Sequence, residues 1–235
     1  MNLLIDQNLR VDIQHSSRRK TAELVVDHGR IRIMVPSSLD EQRIRRILES
    51  KKNWIRQKLR VQSEFLLPKG KEYVSGESFT YLGKNYRLKV SQTGFSEVKL
   101  RSGRLEVGVD RGLTASAREK TVRESLMRWY RDRAEDRLRE KTARYAKILG
   151  AAPQSVRVCE FKSRWGSCSV RGDISFNWRI IVAPHRIVDY VVVHELSHLV
   201  KHDHSEKFWK TIERVLADYR ERKEWLKWNG LGLLV

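Results

Sequence analysis

At 235 residues the chain is long enough for one large domain or two small ones, each with a buried core. A hydrophobic share of 40% and seven tryptophans exclude a disordered chain, and no apolar run approaches the roughly 20 residues that span a bilayer. The 48 Lys and Arg against 29 Asp and Glu leave a formal net charge of +19, a field that draws polyanions, nucleic acid most obviously.

The opening residues place no long apolar stretch after a basic cluster, so no secretory signal is expected. Cys159 and Cys168 are too few for a disulfide framework and read as free thiols in a reducing, cytoplasmic compartment. "LRVDIQHS" alternates apolar and polar residues, as a half-buried strand does. "AELVVDHGRIRIMVP" sets His28-Gly29 between two short β-like runs, a hairpin closed by Pro36. "SSLDEQRIRRILESKKNWIRQKLR" then spaces Ile44, Ile47, Leu48, Trp54, Ile55 and Leu59 as a helix face, with Ser38 and Glu41 as a capping box. "VQSEFLLPKGKEY" reads as exit and connector, broken at Pro68 and Gly70.

Two more hairpins follow in "GESFTYLGKNYRLKV" and "SEVKLRSGRLEVGV", turning at Gly83-Lys84-Asn85 and Ser102-Gly103. Residues 115–149 carry one apolar stripe (Val122, Leu126, Trp129, Ala134, Leu138, Tyr145, Ile148) on a charged cylinder, the pattern of a surface helix with its arginines in water. Gly150 and Pro153 end it. "SVRVCEFKSRWGSCSVRGDISFNWRIIVAP" reads as strand, tight turn at Arg171-Gly172-Asp173, and strand, stopped by Pro184 before two further helices. No internal repeat or low-complexity tract is legible. The expected fold is α+β, with a basic β-rich part over residues 1–112 and a part over residues 113–235 that joins the long helix to a small sheet and two packed helices.

The chemistry concentrates in "HELSHLVKHDHSEKFW". His194 and His198 lie four apart on a helix, so their imidazoles leave one face and can reach one zinc ion. Glu195 projects beside them, placed to hold a water rather than the metal. His202 would be next on a straight helix, but eight residues of rise separate it from His194 by about 12 Å. The chain must therefore turn. Asp203 with Glu206, or Ser205 alone, can cap a second helix whose stripe is Phe208, Trp209, Ile212, Val215, Leu216 and Tyr219. Packing that helix back brings His204 over the metal as third ligand. His202 is left in the turn, either facing ligands or substrate or simply solvated.

"RWGSCS", "ISFNWRIIVAP" and "DYVVVHELSHLVKHDHSEKFW" together resemble the YgjP-like family of zinc metallopeptidases, relatives of the SprT and Spartan group and of the minigluzincins. The pattern "RRK…GRIRIMVPSSL…NWIRQKL" extends the resemblance toward the N-terminus. It implies zinc on His194, His198 and His204 with Glu195 as catalytic base, in agreement with the geometric argument. His204 also falls at the metzincin spacing, but Lys201 stands where that clan has glycine.

Three imidazoles leave zinc a fourth position for a water of near-neutral pKa, and Glu195 would carry its proton to the leaving amine. The stretch 161–179 is expected to edge the cleft as a hairpin on which an extended peptide could align, with Trp165-Gly166-Ser167 as a tight corner. Its aromatic residues serve equally well as core. Arg164, Asn177, Tyr190 and His202 are candidate transition-state donors, and Trp165 a candidate substrate contact. Zinc-dependent hydrolysis of protein or peptide is the first reading, and the basic charge with the SprT and Spartan resemblance extends it to a site of action near nucleic acid, although no DNA-reading motif is visible. A nucleoside triphosphate pyrophosphatase is the second, although no glycine-rich phosphate loop is present. A nucleic-acid-binding module with structural zinc is the third, against which stands the usual four-ligand structural site.

Overall fold

The computed structural model describes residues 2–4, 9–17, 21–27, 30–65, 71–94 and 97–233. The expected breakers Pro68 and Gly70 and the His28-Gly29 turn lie outside them. The chain divides into two compact units, Met1–Lys69 and Gly70–Val235.

In the first unit, β1 (Asn2–Leu4), β2 (Arg10–Ser16), β3 (Glu23–Asp27) and β4 (Arg30–Pro36) form one sheet in the order β1-β2-β4-β3. The central pair β2–β4 is parallel and both outer pairs are antiparallel. Alternation decides the faces: Val11, Ile13, Ile31, Ile33 and Val35 are buried, while Arg10, Gln14, Arg30 and Arg32 are exposed. Ile44 and Leu48 of α1 (Glu41–Ser50) and Ile55 of α2 (Lys52–Phe65) complete this core. The expected single helix is thus two, parted at Lys51, and α2 runs through "VQSEF" where an exit was expected. Its cap is Asp40 rather than Ser38. The Asp40 carboxylate accepts from the Arg43 amide at 2.8 Å, an anion at the positive end of the helix.

The second unit begins with a sheet of β5 (Ser78–Tyr81), β6 (Lys84–Ser91), β7 (Val98–Arg101) and β8 (Arg104–Gly108), ordered β5-β6-β8-β7. Its turns sit at Leu82-Gly83 and Ser102-Gly103. The helix α3 (Ala115–Leu149) follows, about 52 Å long at 1.5 Å per residue. It is capped by Thr114 and ended by the left-handed Gly150. Its stripe is buried from Val122 to Tyr145, whereas Ile148 is exposed. Exposed arginines on its outer side pair with acids, as Arg139 does with Glu135. The inner side is central, not superficial. Tyr130 donates to the Thr80 carbonyl at 2.9 Å, and Lys141 meets Asp189 at 2.6 Å. The sheet residues Phe79, Tyr81, Leu88, Leu105 and Val107 share one core with Val122, Leu126, Trp129 and Tyr130. The sheet and the long helix thus share one core within the unit Gly70–Val235.

A three-stranded sheet, β9 (Ser155–Cys159), β10 (Gly166–Cys168) and β11 (Asp173–Asn177), has the order β10-β11-β9. "WRIIV" then forms a 3-10 turn (Trp178–Val182) instead of extending the strand. Asn177 caps it through the Arg179 amide, and the Leu82 and Gly83 amides bind the Ile181 and Val182 carbonyls at 2.8 and 3.1 Å. Three helices follow where two were expected: α4 (His185–Val200), α5 (Glu206–Val215) and α6 (Tyr219–Asn229). The predicted stripe is divided at Leu216, so Tyr219 opens α6. Among the described residues no helix is long and apolar enough to cross a membrane.

The two four-stranded sheets reveal an internal repeat that the sequence did not show. Each places two hairpins side by side with a parallel central pair, then enters a helix. The second hairpin keeps its register under a shift of 74 residues. Leu24 faces Ile33 as Val98 faces Val107, and Asp27 faces Arg30 as Arg101 faces Arg104. The shift also carries Asp40 onto Thr114, and both cap the third amide of their helix. The connection between hairpins is longer in the first copy: Val11 pairs with Ile31, but Leu88 with Leu105.

Candidate metal centre and cleft

Burial of Ile187, Val188, Val191, Val192, Val193 and Leu196 fixes the rotation of α4. Its start is fixed too. A Cβ at Gly83 would stand 2.8 Å from Pro184 Cα, so the β5–β6 turn lies directly on the residue before α4, and φ +77° there suits glycine. The opposite edge of α4 carries His194 and His198, whose ring centres are 5.0 Å apart. The backbone leaves helical geometry at Lys201, turns, and re-enters a helix after Ser205. Neither expected side-chain cap forms at Ser205, and Asp203 instead accepts from the Ser205 amide at 3.3 Å.

The turn sets His204 against the other two histidines. Its ring centre lies 5.2 Å from that of His194 and 4.8 Å from that of His198. One potential ligand atom from each of the three falls within 4.8 Å of the others. The Nε2 atoms of His194 and His204 are 3.3 Å apart. That is long for a hydrogen bond, but two nitrogens bound at about 2.0–2.1 Å to one tetrahedral zinc stand about 3.3–3.4 Å apart. Phe208, fully buried one helical turn beyond His204, underlies all three rings at 4.7–5.1 Å. Trp209 closes the side toward His194 and His204, at 5.9 and 5.7 Å.

Burial, then the neighbouring His198, His204 and Lys223, push His194 down to about 3, so its ring is neutral with a free lone pair at ordinary pH. Burial chiefly, with His204, lowers His198 as well. The donor set is therefore of the kind that a borderline-soft divalent cation takes. His194 Nδ1 is buried with no hydrogen-bond partner among the described residues.

Glu195 is buried, and burial raises its carboxyl to about 7 against the opposing pull of Arg164. Directly above it runs the backbone of Gly166. A Cβ there would fall 2.6 Å from Glu195 Cγ and Oε1, so no other residue fits without displacing the carboxyl. Gly166 opens β10, which pairs with β11 on one side and is the edge of its sheet. The stretch 161–179 thus borders the site as a hairpin.

The remaining candidates take different places. Asn177 is buried, and its amide donates to the carbonyls of Phe161 and Arg164 at 3.0 and 3.2 Å. Both amide hydrogens are engaged, so Asn177 does not serve as a transition-state donor but clamps the loop leading to Gly166. Trp165 is half-buried and its indole packs on Gly230. Tyr190 is buried on α4 with its ring 5.8 Å from that of His194, and burial followed by Glu195 and Tyr219 raises its phenol. Arg164 and His202 are exposed. Sequence reasoning missed the contact of Gly166 with Glu195, the floor made by Phe208, and Lys223 on α6. Only Phe208 had a local signal, its spacing of four from His204.

No curated protein matches the chain. Among solved structures, the metallopeptidase zymogen abylysin of Pyrococcus abyssi is similar over 37% of this chain and 89% of its own, with 24% identity and a TM-score of 0.35. The model of the YgjP-like metallopeptidase domain matches residues 20–229, nearly the whole length. The chain belongs to the YgjP-like metallopeptidase family.

Proposed function

We propose that His194, His198 and His204 hold a zinc ion and that the protein hydrolyses peptide bonds with Glu195 as general base. The observation that carries this reading is the 3.3 Å separation of the His194 and His204 nitrogens within a three-histidine cluster, with a buried carboxyl next to His194 in sequence. Bound there, zinc would polarise the scissile carbonyl and acidify a water. Glu195 takes the proton from the attacking water and returns it to the departing nitrogen. Its burial keeps bulk water from competing for that proton. The outer edge of β10 offers unpaired backbone groups along which an extended peptide aligns, and the missing side chain at Gly166 lets the strand approach the reacting carboxyl. Arg164, Tyr190 and His202 are the side chains left to steady the developing oxyanion.

Hydrolysis of an unfolded protein substrate, with metal content measured on the same samples, tests the reading. Glu195→Gln should keep its metal and lose about 10²–10⁴ in turnover. Undiminished turnover in the metal-loaded variant would remove Glu195 from its role. Nucleoside triphosphates should survive the same incubation. The net charge of +19 supports a site of action near nucleic acid, and Cys159 and Cys168, both free, suit the cytoplasm. Repeating the assay with DNA at two salt concentrations tests the former, since phosphate contacts weaken steeply with salt.

A further inference from the structure

Two exposed cations near the site lie against aromatic rings. Lys223 of α6 holds its Nζ 4.0 Å from the centre of the Trp209 ring, the same ring that walls His194 and His204. Arg164 lies over the Phe161 ring at 5.2 Å, two residues before Gly166, in the loop that Asn177 clamps. Each charge is oriented by an aromatic face rather than by a carboxylate.

Some basic side chains of the same part are instead held by carboxylates. Lys210 meets Glu206 at 2.7 Å, Arg222 meets Asp218 at 2.8 Å, and Arg179 meets Glu160 at 2.6 Å. The acid next to Lys223, Glu224, is taken by Lys227 and by the Trp228 indole. Among the described residues neither Lys223 nor Arg164 has a carboxylate within ion-pair distance. The two sit on separate elements, Lys223 on the Trp209 ring beside the histidines and Arg164 two residues before the Gly166 that meets Glu195.

We propose that Lys223 and Arg164 are substrate-reading cations, and that the preferred substrate is an acidic peptide whose carboxylates flank the scissile bond. The inference rests on the peptidase reading and deepens it. The strongly positive chain would gather such peptides, and two preoriented charges without ion-pair partners would then select among them.

The test uses the full-length, zinc-loaded protein and three peptides of equal length: one with Glu on both sides of the cleaved bond, its Gln isostere, and the Glu peptide with an amidated C-terminus. Exposed ion pairs of this kind give about two- to fivefold each, so kcat/KM should favour the Glu peptide over the Gln peptide by about four- to 25-fold. The ratio should fall toward one in the Lys223→Met, Arg164→Met double variant. Lys223→Glu should turn the preference toward a Lys-containing peptide, a gain that misfolding cannot mimic. Sensitivity to amidation alone, with the Glu and Gln peptides cleaved equally, would overturn the inference in favour of a site that reads the substrate's chain end. Equal cleavage of Glu and Gln peptides would overturn it while leaving the peptidase reading intact. Failure to cleave any of the three would overturn both.

Discussion

Residues 11–55 and 88–129 build the same sheet and the same capped helix entry, but the two copies end differently. In the first, the helix is interrupted at Lys51 after ten residues, and its core closes on Ile44, Leu48 and Ile55. In the second, the helix continues unbroken for 35 residues, and its far half offers Ala134, Leu138 and Tyr145 to the core that contains α4. The second copy also spends a turn on docking: Leu82 and Gly83 donate both amides to the 3-10 turn before α4. One module thus serves once as a closed small domain and once as the foundation of the three-histidine cluster. What separates the two roles is the length of a helix and the contacts of one hairpin turn, not the sheet.

The largest effects should come from equivalent core positions. Ile31 and Leu105 occupy the same place in β4 and β8, and both are buried. Truncating either to alanine should cost about 2–5 kcal/mol. Calorimetry should show Ile31→Ala lowering one thermal transition and Leu105→Ala another. Peptide hydrolysis at room temperature should survive Ile31→Ala, because that side chain belongs to the core of the first unit alone. Loss of hydrolysis in Ile31→Ala would show that the copies are not energetically separate and that the first also supports the site.

A narrower contrast lies at the docking turn. Gly83→Ala must place a Cβ 2.8 Å from Pro184 Cα at φ +77°, which combines left-handed strain with overpacking against backbone. We expect about 2–4 kcal/mol of destabilisation, together with weaker metal retention, because Pro184 sets the start of α4. Unchanged metal content in a folded Gly83→Ala protein would mean that α4 is held by its apolar face and not by the turn.

How much of this was visible in the residues depends on the range of the interaction. His194, Glu195 and His198 were legible because helical periodicity is local, and His204 because a straight helix would carry the next histidine too far. The length of α3 was likewise readable from its stripe and its closing glycine. The contact of Gly166 with Glu195 was not, since it joins residues 29 apart through a sheet edge whose placement no local pattern specifies. Lys223 was hidden for the same reason, on a helix merged into its predecessor until Leu216 was seen to end it. The repeat escaped because its copies share chemical type rather than identity. Ile31 answers to Leu105 and Leu48 to Val122, both buried, and the unequal connections before β4 and β8 break any alignment that assumes one offset throughout.

The helix caps give the finest version of the comparison. Asp40 and Thr114 occupy equivalent positions and accept from equivalent amides, at 2.8 and 3.3 Å. Replacing either by alanine should cost about 1 kcal/mol, with Asp40 the larger because its acceptor is charged, closer, and set against a positive helix end. The difference should shrink in high salt, which screens the Asp40 charge but leaves the neutral Thr114 hydroxyl unaffected. Denaturant midpoints for the two variants at low and high ionic strength would settle it. If Thr114→Ala proves the costlier change, the long helix depends on its first turn more than on its buried stripe, and the view that packing along Ala134, Leu138 and Tyr145 holds α3 in place fails.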